Sequence, residues 1–228
     1  MIPKVSIIIR AYNSEKIVGR AIESAIYQDF PKNKFEIIAV NDGSRDGTLD
    51  VVRSYADKHK NIRVVDEKNQ GAVAAANNGF AVSKGKYIVF LDYDDYFLPT
   101  LIGDLSKILD ADKSIDFVYS DYYEEFEGKK ILVSPKNIFE TIAGGMMFRR
   151  FSVGERLWTE GLLFPEYDIL LRHTDWKGYH YSKALFTYCR SKESLSSVDS
   201  KVKNGIEQLK KLHPDKILEI EKIRTYAL

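Results

Sequence analysis

The sequence places three aspartates within four residues, at Asp92-Tyr93-Asp94-Asp95. Carboxylates this close repel one another unless a cation or solvent compensates their charge. Hard oxygen ligands of this kind suit Mg²⁺ or Mn²⁺, which proteins commonly share with the phosphates of a substrate. A solvated acidic turn that caps the following helix is the alternative, because Asp is common in turns. Taken alone, the cluster leaves a metal site and a plain turn both open.

Two other polar clusters follow apolar runs in the same way. Ala11-Tyr12-Asn13 follows the run 5–9, Asn41-Asp42-Gly43-Ser44 follows 35–40, and the acidic cluster follows 87–91. Continuous apolar runs rich in β-branched residues are typical of strands buried on both faces. Ligands of an open parallel sheet bind at the carboxyl ends of its strands. We therefore expect the three clusters to lie close together, which favours the metal site.

Strand-like and helix-like segments alternate through the first hundred residues. Strands are predicted at 5–9, 35–40, 62–66 and 87–91, and helices after 13, from 48, at 71–83 and at 99–109. Four successive β-α units indicate a parallel sheet with right-handed crossovers, covered by helices on both faces. The predicted fold class is therefore α/β, with a Rossmann-like and mostly parallel central sheet.

The second half of the chain has a different pattern. We predict a hairpin over 116–134, strands at 146–149 and 179–190, a helix at 168–172, and helical segments beyond 203 that break at Pro214. This indicates a smaller mixed β/α half. The expected organisation is a nucleotide-type half (1–110), a second half (111–200) and a helical tail (201–228) within one compact domain.

Composition excludes several classes of protein. Lys and Arg nearly balance Asp and Glu, with a formal net charge of +1, whereas a dedicated nucleic-acid binder shows a basic excess. Cys189 is the single cysteine, so neither an internal disulfide nor a cysteine-based zinc site is expected. The first apolar run is too short for a signal peptide or a membrane span. A cytoplasmic location is expected, with peripheral contact at the inner face of the membrane left open.

Four ordered motifs carry a resemblance to a known family. They are VSIIIRAYN at 5–13, NDGSRDGT at 41–48, NQGAVAAANNG at 69–79 and FLDYDD at 90–95. Together they resemble the family 2 glycosyltransferases, which adopt the GT-A fold, and the likeness weakens but continues to about residue 196. The segment FLDYDD is similar to the DxD metal motif of that family. The resemblance implies a donor-binding N-terminal half and an acceptor-binding second half.

The resemblance also implies roles for individual residues. Tyr12 would stack near the nucleotide base, Asp42 would hydrogen-bond the base, and Asp92 would lie near the ribose. Asp94 would bind the Mn²⁺ or Mg²⁺ that bridges the donor diphosphate, with Asp95 as a helper. The full donor-binding set that it implies is Ala11, Tyr12, Asn13, Asp42, Asn69, Asp92 and Tyr93.

An inverting transfer also needs a base that deprotonates the acceptor hydroxyl. The segment PEYDILLR at 165–172 resembles the family's acidic segment and places Glu166 where its base normally lies. Asp168 is the alternate, although a residue at the start of a helix is also a natural cap. Glu160 is a third candidate.

Several positions depart from the family pattern. Arg10 and Ala11 replace the usual Pro and Thr, and Ala76 replaces a commonly basic residue. Tyr188-Cys189-Arg190-Ser191 and Ser194-Leu195-Ser196 resemble a terminal motif that often contains His, and Ser191 takes the His position. A third metal ligand or phosphate contact is therefore in doubt, and Arg190 or Lys192 could serve the diphosphate instead.

The sequence thus predicts a metal-dependent inverting glycosyltransferase. Its donor would be a nucleotide-diphosphate sugar, with UDP favoured and GDP or dTDP as alternatives, and its acceptor a glycan or a lipid-linked saccharide. A nucleotide-sugar-binding protein without catalysis stays open, since Ser191 and Ala76 favour it and Glu166 opposes it. A nucleotidyltransferase is the other alternative. That class calls for a Gly-rich loop with Lys or Arg after the first strand, which Ala11-Tyr12-Asn13 is not.

Overall fold

The computed structural model describes residues 2–154, 157–192, 194 and 197–224. Leu195 and Ser196 of the terminal motif lie outside the described residues. The N-terminal half forms β1 (Val5–Ala11), α1 (Val18–Ile26), β2 (Phe35–Asp42), α2 (Thr48–Lys58), β3 (Ile62–Glu67), α3 (Ala72–Val82), β4 (Tyr87–Asp92), β5 (Tyr96–Phe97) and α4 (Leu101–Ala111). The predicted alternation of strands and helices is confirmed.

The second half forms the remaining strands and shorter helices. These are β6 (Phe117–Phe126), β7 (Lys129–Val133), β8 (Met146–Arg149), α5 (Arg150–Val153), α6 (Pro165–Arg172), β9 (Gly178–Arg190), α7 (Asp199–Leu212) and α8 (Ile217–Ile220). The hairpin is confirmed by the antiparallel pairing of β6 with β7. The helix predicted from residue 168 begins three residues earlier, at Pro165, a residue whose fixed φ suits a helix start. That earlier start places Glu166 in the first turn.

One mixed sheet runs through both halves, in the order β3-β2-β1-β4-β8-β6-β9-β5, with β7 paired to β6. The strands β1 to β4 are mutually parallel. β8 then runs antiparallel to both β4 and β6. The predicted α/β fold with a parallel N-terminal sheet and a mixed second half is therefore confirmed.

The two faces of the sheet carry separate apolar cores. Ile7 and Ile9 face the core formed with α1, α2 and α4, while Ile8 faces the core formed with α3 and α6. This alternation follows from the two-residue period of a strand, and burying each isoleucine contributes about 1.5–3 kcal/mol. Gly79 lets α3 lie tightly on β1, because a Cβ there would be 2.6 Å from Ile8 Cγ2. The start of α3 is thereby held at the carboxyl end of the sheet.

Within the described ranges, no helix combines the length and the apolar character needed to cross a membrane.

Candidate active site

A cavity of ≈ 770 Å³ opens at the carboxyl ends of β1 and β4. The strand order reverses at this point, because β2 and β3 lie on one side of β1 and β4 lies on the other. Ligands of open α/β sheets bind at such a switch point. The charged residues that line the cavity are Arg10, Asp92, Asp94, Asp95, Glu160, Glu166, Lys201 and Arg224.

Arg10 and Asp92 form an ion pair on the floor of this cavity. They stand opposite each other in the register of β1 and β4, and Arg10 Nη2 donates to Asp92 Oδ1. The guanidinium carbon lies 4.9 Å from the centre of the Trp158 ring. The sequence marked Arg10 only as a departure from a family pattern. Its position at a strand end, in register with the first aspartate of the cluster, is the signal that could have identified it.

The three aspartates of the acidic cluster have different surroundings. Asp95 is 3% exposed and accepts a hydrogen bond from the Cys189 amide at 2.8 Å. Burial, and then the charge of Asp94, raise the pKa of Asp95 well above its usual value. Asp94 is only partly buried, and desolvation together with the Asp92 charge raises its pKa to about 6. Asp95 therefore anchors β9, while Asp94 presents its carboxylate to the cavity.

The carboxylates of the cavity are candidate ligands for a divalent cation. Among the residues that the structure describes, no three His, Cys, Asp or Glu side chains converge into a protein cage for a metal. Mg²⁺ usually keeps several waters and is bound by one or two carboxylates together with substrate phosphates. Asp92 and Asp94 offer hard oxygen donors of that kind on one cavity wall. They fit a cation that is shared with a bound diphosphate.

Glu166 faces the same cavity from the first turn of α6. Desolvation by the surrounding protein raises its pKa to about 7, and the nearby charge of Arg10 opposes that rise. A carboxyl with a pKa close to the working pH is suited to act as a general base. Glu160, the third candidate for the base, also lines the cavity.

Asp42 holds the loop that leads into α3. Its buried carboxylate accepts hydrogen bonds from the amides of Gln70 and Gly71 at 2.7 and 2.9 Å. The Asn69 side chain donates to the Asp42 carbonyl at 2.9 Å. Gly43 allows this close approach, since a Cβ there would lie 2.4 Å from the Asn69 nitrogen. The structure thus joins Asp42 to Asn69, and a contact of Asp42 with a base stays a prediction.

Asn13 joins the first polar cluster to the second. Its amide donates to Ser44 Oγ at 3.0 Å, and its Oδ1 accepts from the Arg45 amide at 2.8 Å. The neighbouring Tyr12 side chain is 39% exposed, whereas Ala11 is buried at the strand end. The predicted convergence of the strand-end clusters is therefore observed. Tyr12 has an exposed ring, and its stacking on a base stays a prediction.

The three strand-end clusters and Glu166 lie within the range of one protein family. The model of "Glycosyl transferase family 2" matches residues 6–167. The chain belongs to glycosyl transferase family 2. The match includes the strand-end clusters and Glu166, whereas Tyr188, Lys201 and Arg224 of the cavity lining lie beyond it.

Curated proteins and solved structures agree with this assignment. Over 124 residues the chain is 40% identical to the Escherichia coli UDP-Glc:alpha-D-GlcNAc-diphosphoundecaprenol beta-1,3-glucosyltransferase, covering 53% of this chain and 47% of that protein. The crystal structure of Staphylococcus aureus TarS 1-349 in complex with UDP superposes on this chain with a TM-score of 0.73 at 25% identity. The match covers 94% of this chain and 69% of that one. The chain spans half or less of the length of such curated relatives.

A third comparison concerns the fold. The mannosyltransferase PcManGT from Pyrobaculum calidifontis, in complex with GDP-Man and Mn²⁺, has a TM-score of 0.76 at 17% identity, covering 97% of this chain and 70% of that one. These neighbours confirm the expected GT-A architecture of this family 2 member.

The two cations expected at the diphosphate do not line the cavity. Arg190 is buried against Glu124 and Ser197, and Lys192 is exposed and paired with Glu127 at 3.1 Å. Lys201 and Arg224, from the C-terminal tail of this family 2 chain, line the cavity instead. The sequence carried no signal for this, because the tail reaches the site only through tertiary packing. Ser191 is exposed and its amide donates to Ser194 Oγ at 2.9 Å.

Asp168, the alternate base, lies outside the cavity lining and joins three segments. Its fully buried carboxylate accepts from Thr159 Oγ1 at 2.7 Å and from Arg172 Nε at 3.0 Å. Its other oxygen lies 2.8 Å from His213 Nε2. The structure shows no side-chain cap at the start of α6, so the interpretation of Asp168 as a cap is wrong. These contacts point to a structural role that ties α6 to the end of α7.

We predict that Asp168→Ala destabilises the protein by about 3 kcal/mol, because it removes the buried carboxylate that joins Thr159, Arg172 and His213. Urea unfolding followed by circular dichroism measures this. Asp175→Ala is the matched control, since Asp175 is exposed, and we expect its effect to stay within about 0.5 kcal/mol. A variant of Asp168 with unchanged stability but abolished turnover would instead identify it as the base.

Proposed function

We propose that the protein is a metal-dependent inverting glycosyltransferase, which moves a sugar from a nucleotide-diphosphate sugar to an acceptor hydroxyl. The observation that carries this proposal is the placement of Asp94 and Glu166 in the lining of one cavity at the switch point of a family 2 fold. One supplies a ligand for a cation, and the other a base with a pKa near neutrality.

The donor would lie along the carboxyl ends of β1, β2 and β4. Asp94, with the free oxygen of Asp92, would hold Mg²⁺ or Mn²⁺, which when bound offsets the charge that develops on the leaving nucleoside diphosphate. The base and ribose would lie against the remaining donor-binding residues, which are Ala11, Tyr12, Asn13, Asp42, Asn69 and Tyr93. Lys201 is exposed at the cavity wall and would contact a phosphate.

Glu166 would act on the acceptor. In its ionised form it would accept the hydroxyl proton as the acceptor oxygen attacks the anomeric carbon from the side opposite the leaving diphosphate, which inverts that centre. Arg10 would favour the ionised form through its positive charge. Asp95 would support the site indirectly by fixing the end of β9.

Substrate class is proposed from the relatives and the cavity wall. UDP is the favoured nucleotide because one related structure holds UDP, although another holds GDP-Man with Mn²⁺. A lipid-linked saccharide is favoured as acceptor because the Escherichia coli relative is named for a diphosphoundecaprenol-linked substrate. An apolar part of the wall beside Glu166 suits such a molecule. It contains Leu162, Leu163, Phe164, Val202 and Ile223.

The proposal is tested with UDP-glucose, UDP-GlcNAc and GDP-mannose, each with Mn²⁺ or with EDTA. We expect one donor to raise thermal stability, by about 2.7 kcal/mol at a hundredfold excess over its Kd, and to release nucleoside diphosphate only with Mn²⁺. Tight nucleotide binding without Mn²⁺-dependent turnover of any donor would favour the non-catalytic binding protein.

A further inference from the structure

Arg10 lies within the acidic cavity in a fixed position. Its side chain is 13% exposed, it is paired with Asp92, and Nη1 lies 3.5 Å from the Ala72 carbonyl. The guanidinium carbon lies 4.9 Å from the centre of the Trp158 ring. A guanidinium that is held by both an ion pair and an aromatic ring is preorganised, unlike a flexible ammonium.

The ring beneath Arg10 is itself held rigidly. Trp158 is fully buried, and its ring centre lies 4.5 Å from that of Phe90. Asn77 exchanges two hydrogen bonds with the Trp158 backbone, at 2.9 and 3.1 Å. The positive charge of Arg10 is therefore held in place before any ligand arrives.

This charge acts on the other ionisable groups of the cavity. Asp94 and Glu166 line the same cavity as Arg10, so its positive charge attracts their carboxylates. A divalent cation bound at Asp94 would be repelled by the same charge. It would also find one oxygen of Asp92 already occupied.

We propose that Arg10 is a resident counter-ion of the acidic cluster. It compensates Asp92 in the metal-free protein and weakens the binding of a divalent cation alone. A cation then binds tightly only with the donor diphosphate, whose negative charge offsets both. This inference rests on the proposed function, and it adds an order to the site: Arg10 favours the nucleotide diphosphate and opposes the cation, so the cation binds tightly only after the diphosphate has offset the charge of Arg10.

The test is a pair of titrations on Arg10→Met, which keeps a long side chain over the Trp158 ring and removes the charge. We expect Mn²⁺ alone to bind about tenfold more tightly than to the wild type, and UDP in EDTA to bind about tenfold more weakly. Isothermal titration calorimetry measures both. Tighter binding of Mn²⁺ together with weaker binding of UDP indicates a charge effect, because general damage to the cavity would weaken both.

Two controls accompany this variant. Arg63→Met removes one positive charge from an ion pair with Glu36 near the start of β3, away from the cavity, and should leave both affinities within about twofold. Arg10→Lys keeps the charge and should stay closer to the wild type in both titrations than Arg10→Met. Arg10→Gln, a second variant without the charge, carries the same expectations as Arg10→Met if the latter does not fold.

An unchanged or weaker affinity of the folded charge-free variant for Mn²⁺ would overturn the inference. So would the absence of Mn²⁺ binding by both that variant and the wild type, because Arg10 would then not be what opposes the cation. Failure of the proposed function is separate, since it is seen as the absence of Mn²⁺-dependent donor turnover by the wild-type protein.

Discussion

Replacing Glu166 by Gln is expected to lower kcat by about 10²–10⁴-fold, because the amide cannot accept the proton of the acceptor hydroxyl. Binding of the donor nucleotide should change little, since none of the proposed donor contacts lies on α6, which carries Glu166. Turnover is measured with the donor selected by the thermal-shift experiment and a saccharide acceptor. Nucleotide affinity is measured separately by calorimetry.

The dependence on pH follows from the raised pKa of Glu166. As a base it works only when ionised, so wild-type kcat/KM should fall as pH drops below about 7 and level off at higher pH. The kcat/KM of Glu166→Gln should be low and should not change across this pH range. A pH profile of both proteins, with stability checked at each pH, measures the difference.

The pH dependence of folding stability should have the opposite sign to that of kcat/KM. A raised carboxyl pKa means that the folded protein holds the proton more tightly, so wild-type stability falls as pH rises from 4.5 to about 7. That interval corresponds to about 3 kcal/mol, and partial exposure of the side chain reduces it to about 2 kcal/mol. At pH 8, Glu166→Gln should therefore be more stable than the wild type. A merely structural glutamate would not show lower turnover together with higher stability.

Glu160→Gln is the matched comparison, because Glu160 is the other glutamate of the cavity wall. We expect the loss of kcat in Glu160→Gln to be at least tenfold smaller than that in Glu166→Gln, because the rate enhancement from proton transfer depends on the general base. A large loss in Glu160→Gln with a small one in Glu166→Gln would show that the base had been assigned to the wrong residue.

The donor half of the fold was predictable from local patterns. Its strands are continuous apolar runs, and the helix predicted from Thr48 begins at that residue. The predicted strands end only one or two residues early, as at Val40, where β2 continues to Asp42. Parallel topology then brings the strand ends together, so the sequence alone places Asp42 and Asp94 at one edge of the sheet.

The other side of the cavity depends on contacts between distant segments. The approach of Lys201 and Arg224 to the cavity follows from the docking of the tail, where the Arg224 amide donates to the Phe139 carbonyl at 3.0 Å. The two-residue strand β5 pairs with β9 across about ninety residues of chain, and so short a segment has no periodicity to detect. The ion pair of Arg10 with Asp92 required the register of two strands that are not adjacent in sequence.

Replacing Asp94 by Asn should abolish the response to a divalent cation. The change removes the charge of the carboxylate that faces the cavity without a side-chain partner among the described residues, while keeping its shape. A bound cation stabilises the charge on a leaving group by several kcal/mol, and each 1.4 kcal/mol is a tenfold change in rate. We therefore expect kcat/KM with saturating Mn²⁺ to fall by about 10²–10³-fold.

The decisive readout is the difference between Mn²⁺ and EDTA, measured for both turnover and UDP affinity. In the wild type, Mn²⁺ should raise both. In Asp94→Asn the two conditions should give nearly the same values, close to those of the wild type in EDTA. Asp104→Asn is the matched control, since Asp104 pairs with Lys183 at 2.8 Å on α4 and lies outside the cavity lining. It should keep the full response to Mn²⁺.

Asp94→Asn also distinguishes a metal site from a plain acidic turn, the two alternatives that the sequence left open. If Asp94 were only a turn residue, its replacement would alter stability slightly and leave the Mn²⁺ response intact. In either case the removal of charge from a cluster of three carboxylates should stabilise the metal-free protein, because Asp92 and Asp95 lose a like-charged neighbour. Higher thermal stability in EDTA therefore shows that the variant is folded, and loss of the Mn²⁺ response in that folded variant identifies Asp94 as a metal ligand. A Mn²⁺ response that persists in Asp94→Asn would assign the cation to another residue.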